Sequence, residues 1–386
     1  MKDSKNKPWK SHYDRIIRIF QRHIEHTILM PFSVKVWNGN SYFFGKGEPG
    51  FTISINDRSG LSAASQLDEL KICEAYMTGS IDFEGEMIQI LTLRESLKDT
   101  HPLFYLWRRL VPLIIGDVAT NRQAISTHYE FDNDFYLTFM DSSRCYSHAL
   151  FKSDDEPLET AQRRKLDFAL SACNLKPGDR VLDVGGGWGT FTEHAGLKGI
   201  QVTSLTLAKN SEKYLTELIQ RKNLPCSVLF QDFLNYRSDT LYDAIVILGV
   251  IEHLPDYATV MNQFHHLLKP GGRVYLDASA YRKKYDHPSF VAKYIFPGGH
   301  SSLCLHDFLR EVAHSEMDLI AVYNDRHSYY LTSKIWAETL EANRDEIIKK
   351  WGDMLYRRFR LYLWGVAYSF QKKDIDAYRV VLERPE

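Results

Sequence analysis

The hydrophobic pattern changes character near residue 120. Before it, short runs dominate. Val34-Lys-Val-Trp37 and Ser41-Tyr-Phe-Phe44 flank Asn38-Gly39-Asn40 and predict a hairpin, and Phe51-Thr-Ile-Ser-Ile55 alternates as a half-buried strand. Ile16, Ile17, Ile19, Phe20, Ile24 and Ile28 fall mostly on one face of a helix over residues 9–30. After residue 120, strand and helix patterns alternate. A linker helix over 117–128 comes first, and Leu158, Ala161, Leu166, Ala169 and Leu170 mark a helix over 157–173. Pro177-Gly178-Asp179 then introduces the strand Arg180–Val184. Strands at 201–205, 227–230, 242–249 and 273–277 follow, with helices at 209–221 and 256–268. Parallel strands need helical crossovers, so the alternation predicts an α/β, doubly wound, Rossmann-like sheet. Residues 281–306 break the pattern and are expected to form a flap, and 334–371 are strongly helical. The expected division is a smaller N-terminal α+β accessory domain, 1–115, and a catalytic domain, 116–386.

One stretch carries more chemistry than the rest. Val181-Leu-Asp-Val-Gly-Gly-Gly-Trp-Gly-Thr190 reads as a buried strand ending in a turn that lets backbone approach a nucleotide-like ligand. A tight αβ connection with no ligand is the plain alternative. The spacing Asp-x-Gly-x-Gly-x-Gly is offset from the dinucleotide fingerprint. It resembles the first motif of the S-adenosylmethionine (SAM) methyltransferases. Thr190 and Phe191 stand where a phosphate-binding loop would carry Lys, which argues against kinase or ATPase chemistry.

Bulk properties narrow the classes. A formal net charge of -1 over 386 residues gives no global reason to expect nucleic acid. No apolar run approaches a membrane span, and Met1-Lys-Asp-Ser-Lys-Asn-Lys7 has no apolar signal core. A cytoplasmic protein with reduced thiols is expected. Cys73, Cys145, Cys173, Cys226 and Cys304 are scattered, so no metal site is expected. Aromatic residues at 13% would suit a lipid or aromatic substrate tunnel, but a plain core uses them too and is the expected reading.

Several further stretches point in one direction. They are Tyr76–Gly85, His128–Tyr136, Tyr146-Ser-His-Ala-Leu-Phe151, Leu182–Gly189, Leu205-Thr-Leu-Ala-Lys-Asn210, Ile251-Glu-His253, Tyr294-Ile-Phe-Pro-Gly-Gly299 and Asp374-Ile-Asp376. Together they resemble the cyclopropane fatty acid synthase (mycolic acid synthase-like) branch of the SAM methyltransferases over nearly the whole chain. The resemblance implies SAM as cofactor. It sets Tyr146 and Ser147 at the carboxylate end, with Asp183, Gly185, Gly187 and Gly189 in the glycine loop. Thr206 to Ser211 would meet the ribose, Asn210 through its amide, and Gln231 and Asp232 would meet the adenine. Asp232 is equally suited to cap a helix. The N-terminal domain would dock lipid or form a homodimer. The partner would be an unsaturated acyl chain or phospholipid at a membrane surface, met peripherally.

The match departs where chemistry would occur. Cyclopropane-forming relatives hold bicarbonate with a Cys, a Glu, a His and a Tyr. Glu252 and Tyr329 match two of these, His148 replaces the Cys, Asp277 replaces the His, and Val366 takes the place of a second Cys. Asp277 near Glu252 would repel an anion, so bicarbonate is expected to be absent. His148, or the Glu252–Asp277 pair, would then be the base, since imidazole titrates near neutrality. The alternative is that His148 packs beside the cofactor and hydrogen-bonds Glu252. His253 is expected to support Glu252. Arg282-Lys283-Lys284 is expected to be a solvated face, or an entrance meeting headgroups. The expected function is C-methylation of an alkene, by resemblance an unsaturated acyl chain. Alternatives are a small-molecule methyltransferase acting on an amine or polyketide-like alkene, and a SAM-binding lipid-interaction protein without catalysis.

Overall fold

The computed structural model describes Ile16, Arg18 and residues 30–99, 133–284, 286–297 and 301–386. The helices expected over 117–128 and, but for three residues, over 9–30 lie outside these, as do parts of the 128–136 and 294–299 stretches. The chain divides into two compact units, Met1–Pro102 with Asp345–Tyr368, and Leu103–Arg344 with Ser369–Glu386. Residues 345–368 were expected in the catalytic domain. They group with the first unit because Arg357 pairs with Asp82 at 3.1 Å, Arg360 donates to the Tyr76 hydroxyl at 2.8 Å, and Tyr368 donates to Glu95 at 3.0 Å.

The first unit holds four strands, β1 (Phe32–Val36), β2 (Ser41–Phe44), β3 (Phe51–Ile55) and β4 (Ile81–Gly85), in the order β2-β1-β3-β4. The expected hairpin is β1–β2, antiparallel, and Phe32 stacks on Phe44 and Phe51 at 4.8 and 5.1 Å. Helices α1 (Arg58–Gln66) and α2 (Glu69–Met77) link β3 to β4. Asp57 and Asp68 cap them by accepting from the main-chain N–H groups of Gly60 and Lys71.

The second unit contains β5 (Arg180–Val184), β6 (Gln201–Thr206), β7 (Ser227–Phe230), β8 (Tyr242–Leu248), β9 (Leu268–Ala280), β10 (Asp318–Asn324) and β11 (Asp376–Glu383). Their order is β10-β11-β9-β8-β5-β6-β7. Neighbours from β7 to β9 are parallel, whereas β11 runs antiparallel to both β9 and β10. Crossovers include α3 (Leu158–Ala172) ahead of β5, α4 (Thr190–Gly196), α5 (Lys209–Lys222), α6 (Tyr257–Leu267) and α7 (Leu305–His314). Ile245, Val246 and Ile247 of β8 are fully buried, which is why that strand reads as an unbroken apolar run. The α/β expectation holds, with an antiparallel β10–β11 addition that the periodicity did not suggest. β10 is a largely exposed edge strand with Leu319 and Ile320 outward, so it lacks an in/out alternation. Helices α8 (Arg326–Ala342), α9 (Arg344–Trp351) and α10 (Asp353–Lys372) make up the helical C-terminal stretch.

β5 pairs with β6 on one side and β8 on the other. Chain order reverses there, so the loops leaving the C-terminal ends of β5 and β8 diverge and open a crevice.

Candidate active site

A cavity occupies that crevice. Tyr146 and Ser147 meet Asp183, Gly185 and Gly187 across it, and Thr206, Gln231 and Asp232 form the part beyond β6 and β7. Gly189 and Asn210 do not line it. Gly189 is the N-cap of α4 with φ of +76°, and Asn210 lies exposed in the first turn of α5. The glycines also serve packing more than ligand approach. A Cβ on Gly185, where φ is +82°, would lie 2.4 Å from Val250 Cγ2, and one on Gly189 would lie 2.5 Å from Leu218 Cδ2. Above Gly187 the space is open, with nothing nearer than 3.8 Å.

Asp183 is buried, and its Oδ2 accepts from Thr192 Oγ1 and Ser204 Oγ, both at 3.0 Å. Burial pushes its carboxyl up to about 6, and the two hydroxyls restrain that rise. Asp232 both lines the cavity and caps, its Oδ1 accepting from Leu234 N at 2.9 Å. Tyr146 sits among rings, with Trp336 stacked at 5.3 Å and Trp188 edge-on at 6.1 Å. Ser211, at the end of the expected ribose segment, also lines it, and sequence reading missed other lining groups, among them Trp188, Val250 and His253. Trp188 was visible within the glycine motif. The residues after β8 had no signal beyond Glu252-His253. Burial lowers the His253 pKa to about 4, so this imidazole is neutral at ordinary pH.

The four residues expected to be catalytic do not line this cavity. Two of them are chain neighbours of residues that do: Ser147 precedes His148, and His253 follows Glu252. Glu252 is buried in a 3-10 turn, Ile251–His253, and its Oε1 accepts from Ser279 N at 2.8 Å and Ser279 Oγ at 3.2 Å. Its Oε2 is buried without a hydrogen-bond partner among the described residues. Burial raises its pKa to about 7, with a further push from Asp277.

Asp277 is not the bare carboxylate the sequence suggested. Lys165 Nζ lies 3.4 Å from its Oδ2, and both side chains are fully buried. Burial opposes the Lys165 charge, yet Asp277 and Cys145 hold its pKa above the ordinary value. The charge expected to repel an anion is therefore balanced, and a repulsive Glu252–Asp277 pair needs this correction. Asp277 Oδ1, like Glu252 Oε2, is buried without a hydrogen-bond partner among the described residues.

His148 is fully buried, and its partner is Asp325, not Glu252, with Nε2 3.2 Å from Oδ2. Arg379 grips the same carboxylate, Nη2 to Oδ1 at 3.1 Å and Nε to Oδ2. Despite burial, His148 and Arg379 hold the Asp325 carboxyl below its usual range. His148 Nδ1 has no hydrogen-bond partner among the described residues. The Tyr329 ring lies 5.1 Å from His148 and stacks on Phe370 at 4.5 Å. Lys165, Asp325 and Arg379 were not anticipated, because each is distant in sequence from the residue it serves.

The flap is tied to the same place. Ser301 donates to the Glu252 carbonyl through both N and Oγ at 3.1 Å. Lys284 does not stand in solvent. It donates to Pro255 O at 2.5 Å and lies over the Tyr257 ring at 4.1 Å, while Arg282 and Lys283 are exposed. Cys304, His306 and Asp307 bring donor atoms within 4.8 Å of one another, but Arg310 already supplies Asp307 with a countercharge at 2.9 Å.

A parallel sheet that reverses order beside a glycine loop, with an antiparallel strand placed next to β9, defines the SAM-dependent methyltransferase class. The cavity suits that cofactor: an aromatic wall at Tyr146, the space over Gly187, a buried acid at Asp183, and no phosphate-binding lysine. A family model for mycolic acid cyclopropane synthetase matches residues 117–380, and a domain of unknown function (DUF7884) matches 19–101. The chain is 26% identical over 374 residues to a probable fatty acid methyltransferase of Pseudomonas putida, covering 93% of each. It is 30% identical over 281 residues to cyclopropane mycolic acid synthase 3 of Mycobacterium tuberculosis, covering 67% of this chain and 96% of that one. The structure of mycolic acid cyclopropane synthase CmaA1 complexed with SAH and CTAB superposes with TM-score 0.62 at 27% identity, covering 68% of this chain and 98% of that one. The protein belongs to the mycolic acid cyclopropane synthetase family and is a SAM-dependent methyltransferase.

Proposed function

We propose that the protein methylates an alkene carbon of an unsaturated fatty acyl chain, giving a cyclopropane or a methyl-branched product. The observation that supports this most is the pair of buried atoms without a hydrogen-bond partner among the described residues, Glu252 Oε2 and His148 Nδ1, in residues flanking the cofactor cavity. SAM supplies an electrophilic methyl group when bound. An alkene is a weak nucleophile, and the new C–C bond leaves a carbocation on the neighbouring carbon. The Glu252 carboxylate steadies that charge in a water-poor site. Asp325 accepts the Nε2 proton of His148, which leaves Nδ1 as the acceptor. His148 Nδ1 then takes a proton from the new methyl, and the released electron pair closes the ring onto the cation.

In this reading bicarbonate is not held. A charged Glu252 disfavours a second anion beside it, and Glu252 Oε2, Asp277 Oδ1 and His148 Nδ1 have no hydrogen-bond partner among the described residues. The test is mass spectrometry of lipids from cells expressing the protein, where a gain of one CH2 unit per acyl chain is expected. The departures at His148 and Asp277 favour one other reading, methyl transfer to a small amine or alkene. It predicts unchanged lipids and a methylated small molecule.

Among the described residues, no helix is long and apolar enough to cross a membrane. We place the substrate at a phospholipid surface, met peripherally from the cytoplasm, with the N-terminal unit docking lipid or forming a homodimer. Exposed aromatic residues on its first hairpin, Phe43 at 71% and Trp37 at 42% exposure, support the docking role. Phe43→Ser is expected to weaken co-sedimentation with anionic vesicles a few-fold, and unchanged sedimentation counts against it.

A further inference from the structure

A fully buried lysine is rare and needs a reason. Lys165 Nζ contacts Ser147 Oγ at 2.6 Å, Cys145 Sγ at 3.0 Å and Asp277 Oδ2 at 3.4 Å. Its shortest contact is to the hydroxyl, not to the counter-ion. One turn earlier on the same face of α3, Gln162 Nε2 donates to the Ser147 carbonyl at 2.8 Å. The helix therefore grips Ser147 by side chain and main chain together. Cys145, Tyr146 and Ser147 all line the cofactor cavity. The next residue, His148, is held by the separate Asp325–Arg379 pair.

We infer that Lys165 is a positioning residue for the methyl donor. It fixes Ser147, and through it the Cys145–Ser147 wall of the cavity, while Asp277 serves as its counter-ion. The inference rests on the SAM site argued above. Protons are accounted for: the ammonium donates to Ser147 Oγ, and the hydroxyl donates onward to Asp277 Oδ2 at 3.5 Å.

The competing idea is that Lys165 only neutralises Asp277. Titration calorimetry with S-adenosylhomocysteine separates the two. Lys165→Met with Asp277→Leu removes both charges, a replacement that buried pairs often tolerate. If Lys165 positions Ser147, Kd rises roughly tenfold, the loss of one charge-assisted hydrogen bond. Asp277→Asn with Lys165 retained is expected to raise Kd less than the double variant does, since Lys165 Nζ stays within reach of Ser147 Oγ. A double variant that melts cooperatively and binds like the parent overturns the inference. Should the double variant fail to fold, Ser147→Ala decides: a roughly tenfold weaker Kd is expected, and an unchanged Kd overturns it. Absence of binding by the parent protein instead sinks the donor-site assignment, and this inference with it.

Discussion

The donor cavity and the buried group around Glu252 share one sheet but are organised differently. Main-chain geometry shapes the cavity: Gly185 and Gly189 have positive φ, Val250 and Leu218 leave no room there for a Cβ, and the buried Asp183 is satisfied by two neighbouring hydroxyls. The other side is built from charges. Lys165 balances Asp277 and Arg379 balances Asp325, with Glu252 and His148 set among them. Backbone constraints leave a local trace in sequence, whereas charge partners come from anywhere in the chain. His148 and Asp325 are 177 residues apart, and Arg379 is a further 54 beyond Asp325.

The largest expected effect breaks the charged side alone. His148→Ala should lower kcat by about 10²–10⁴-fold, the usual range for a lost general base, with the S-adenosylhomocysteine Kd nearly unchanged. Asp325→Asn should move the same parameter in the same direction by less. Bicarbonate should neither rescue these variants nor stimulate the parent, and stimulation of the parent would contradict the proposed base. Glu252→Gln should cost about 10²–10³-fold in kcat, again with little change in Kd.

A smaller effect sharpens the comparison through pH. The Glu252 pKa of about 7 predicts that kcat/KM rises as pH passes through 7, when the carboxylate becomes charged. Its effect on stability has the opposite sign. A pKa raised from 4.5 to about 7 on folding stabilises below 4.5, and that contribution is lost as pH rises through 7. Thermal melts of Glu252→Gln should therefore fall less than the parent's between pH 5 and pH 7.5. The smallest effect breaks the backbone side. Gly185→Ala should destabilise by about 1–3 kcal/mol through strain at positive φ, read as a lower Tm, with weaker donor binding.

The central strands of the parallel sheet were legible as unbroken buried apolar runs, and its helices because each buries one face. Arg180–Val184 and the largely exposed Ser227–Phe230 fall where the sequence places them, as does Phe51–Ile55 in the other sheet. β10 was hidden by its exposure, and the 345–368 segment was misplaced because Arg357 and Arg360 find partners far away in sequence. At the site, Tyr146, Asp183 and Gly187 were readable from local motifs. Asn210 was not, because helix position alone cannot tell a cavity-facing residue from an exposed one. Asp277 was read as an added charge because nothing in its own stretch names Lys165.

The central claim is most directly tested with a trideuteromethyl SAM donor and unsaturated phospholipid vesicles in bicarbonate-free buffer. Transfer with ring closure predicts acyl chains that gain a CD2 unit, the third deuteron having left with the base, while a methyl branch keeps all three. Acyl chains that acquire no deuterium, or that acquire it only when bicarbonate is supplied, would contradict the account.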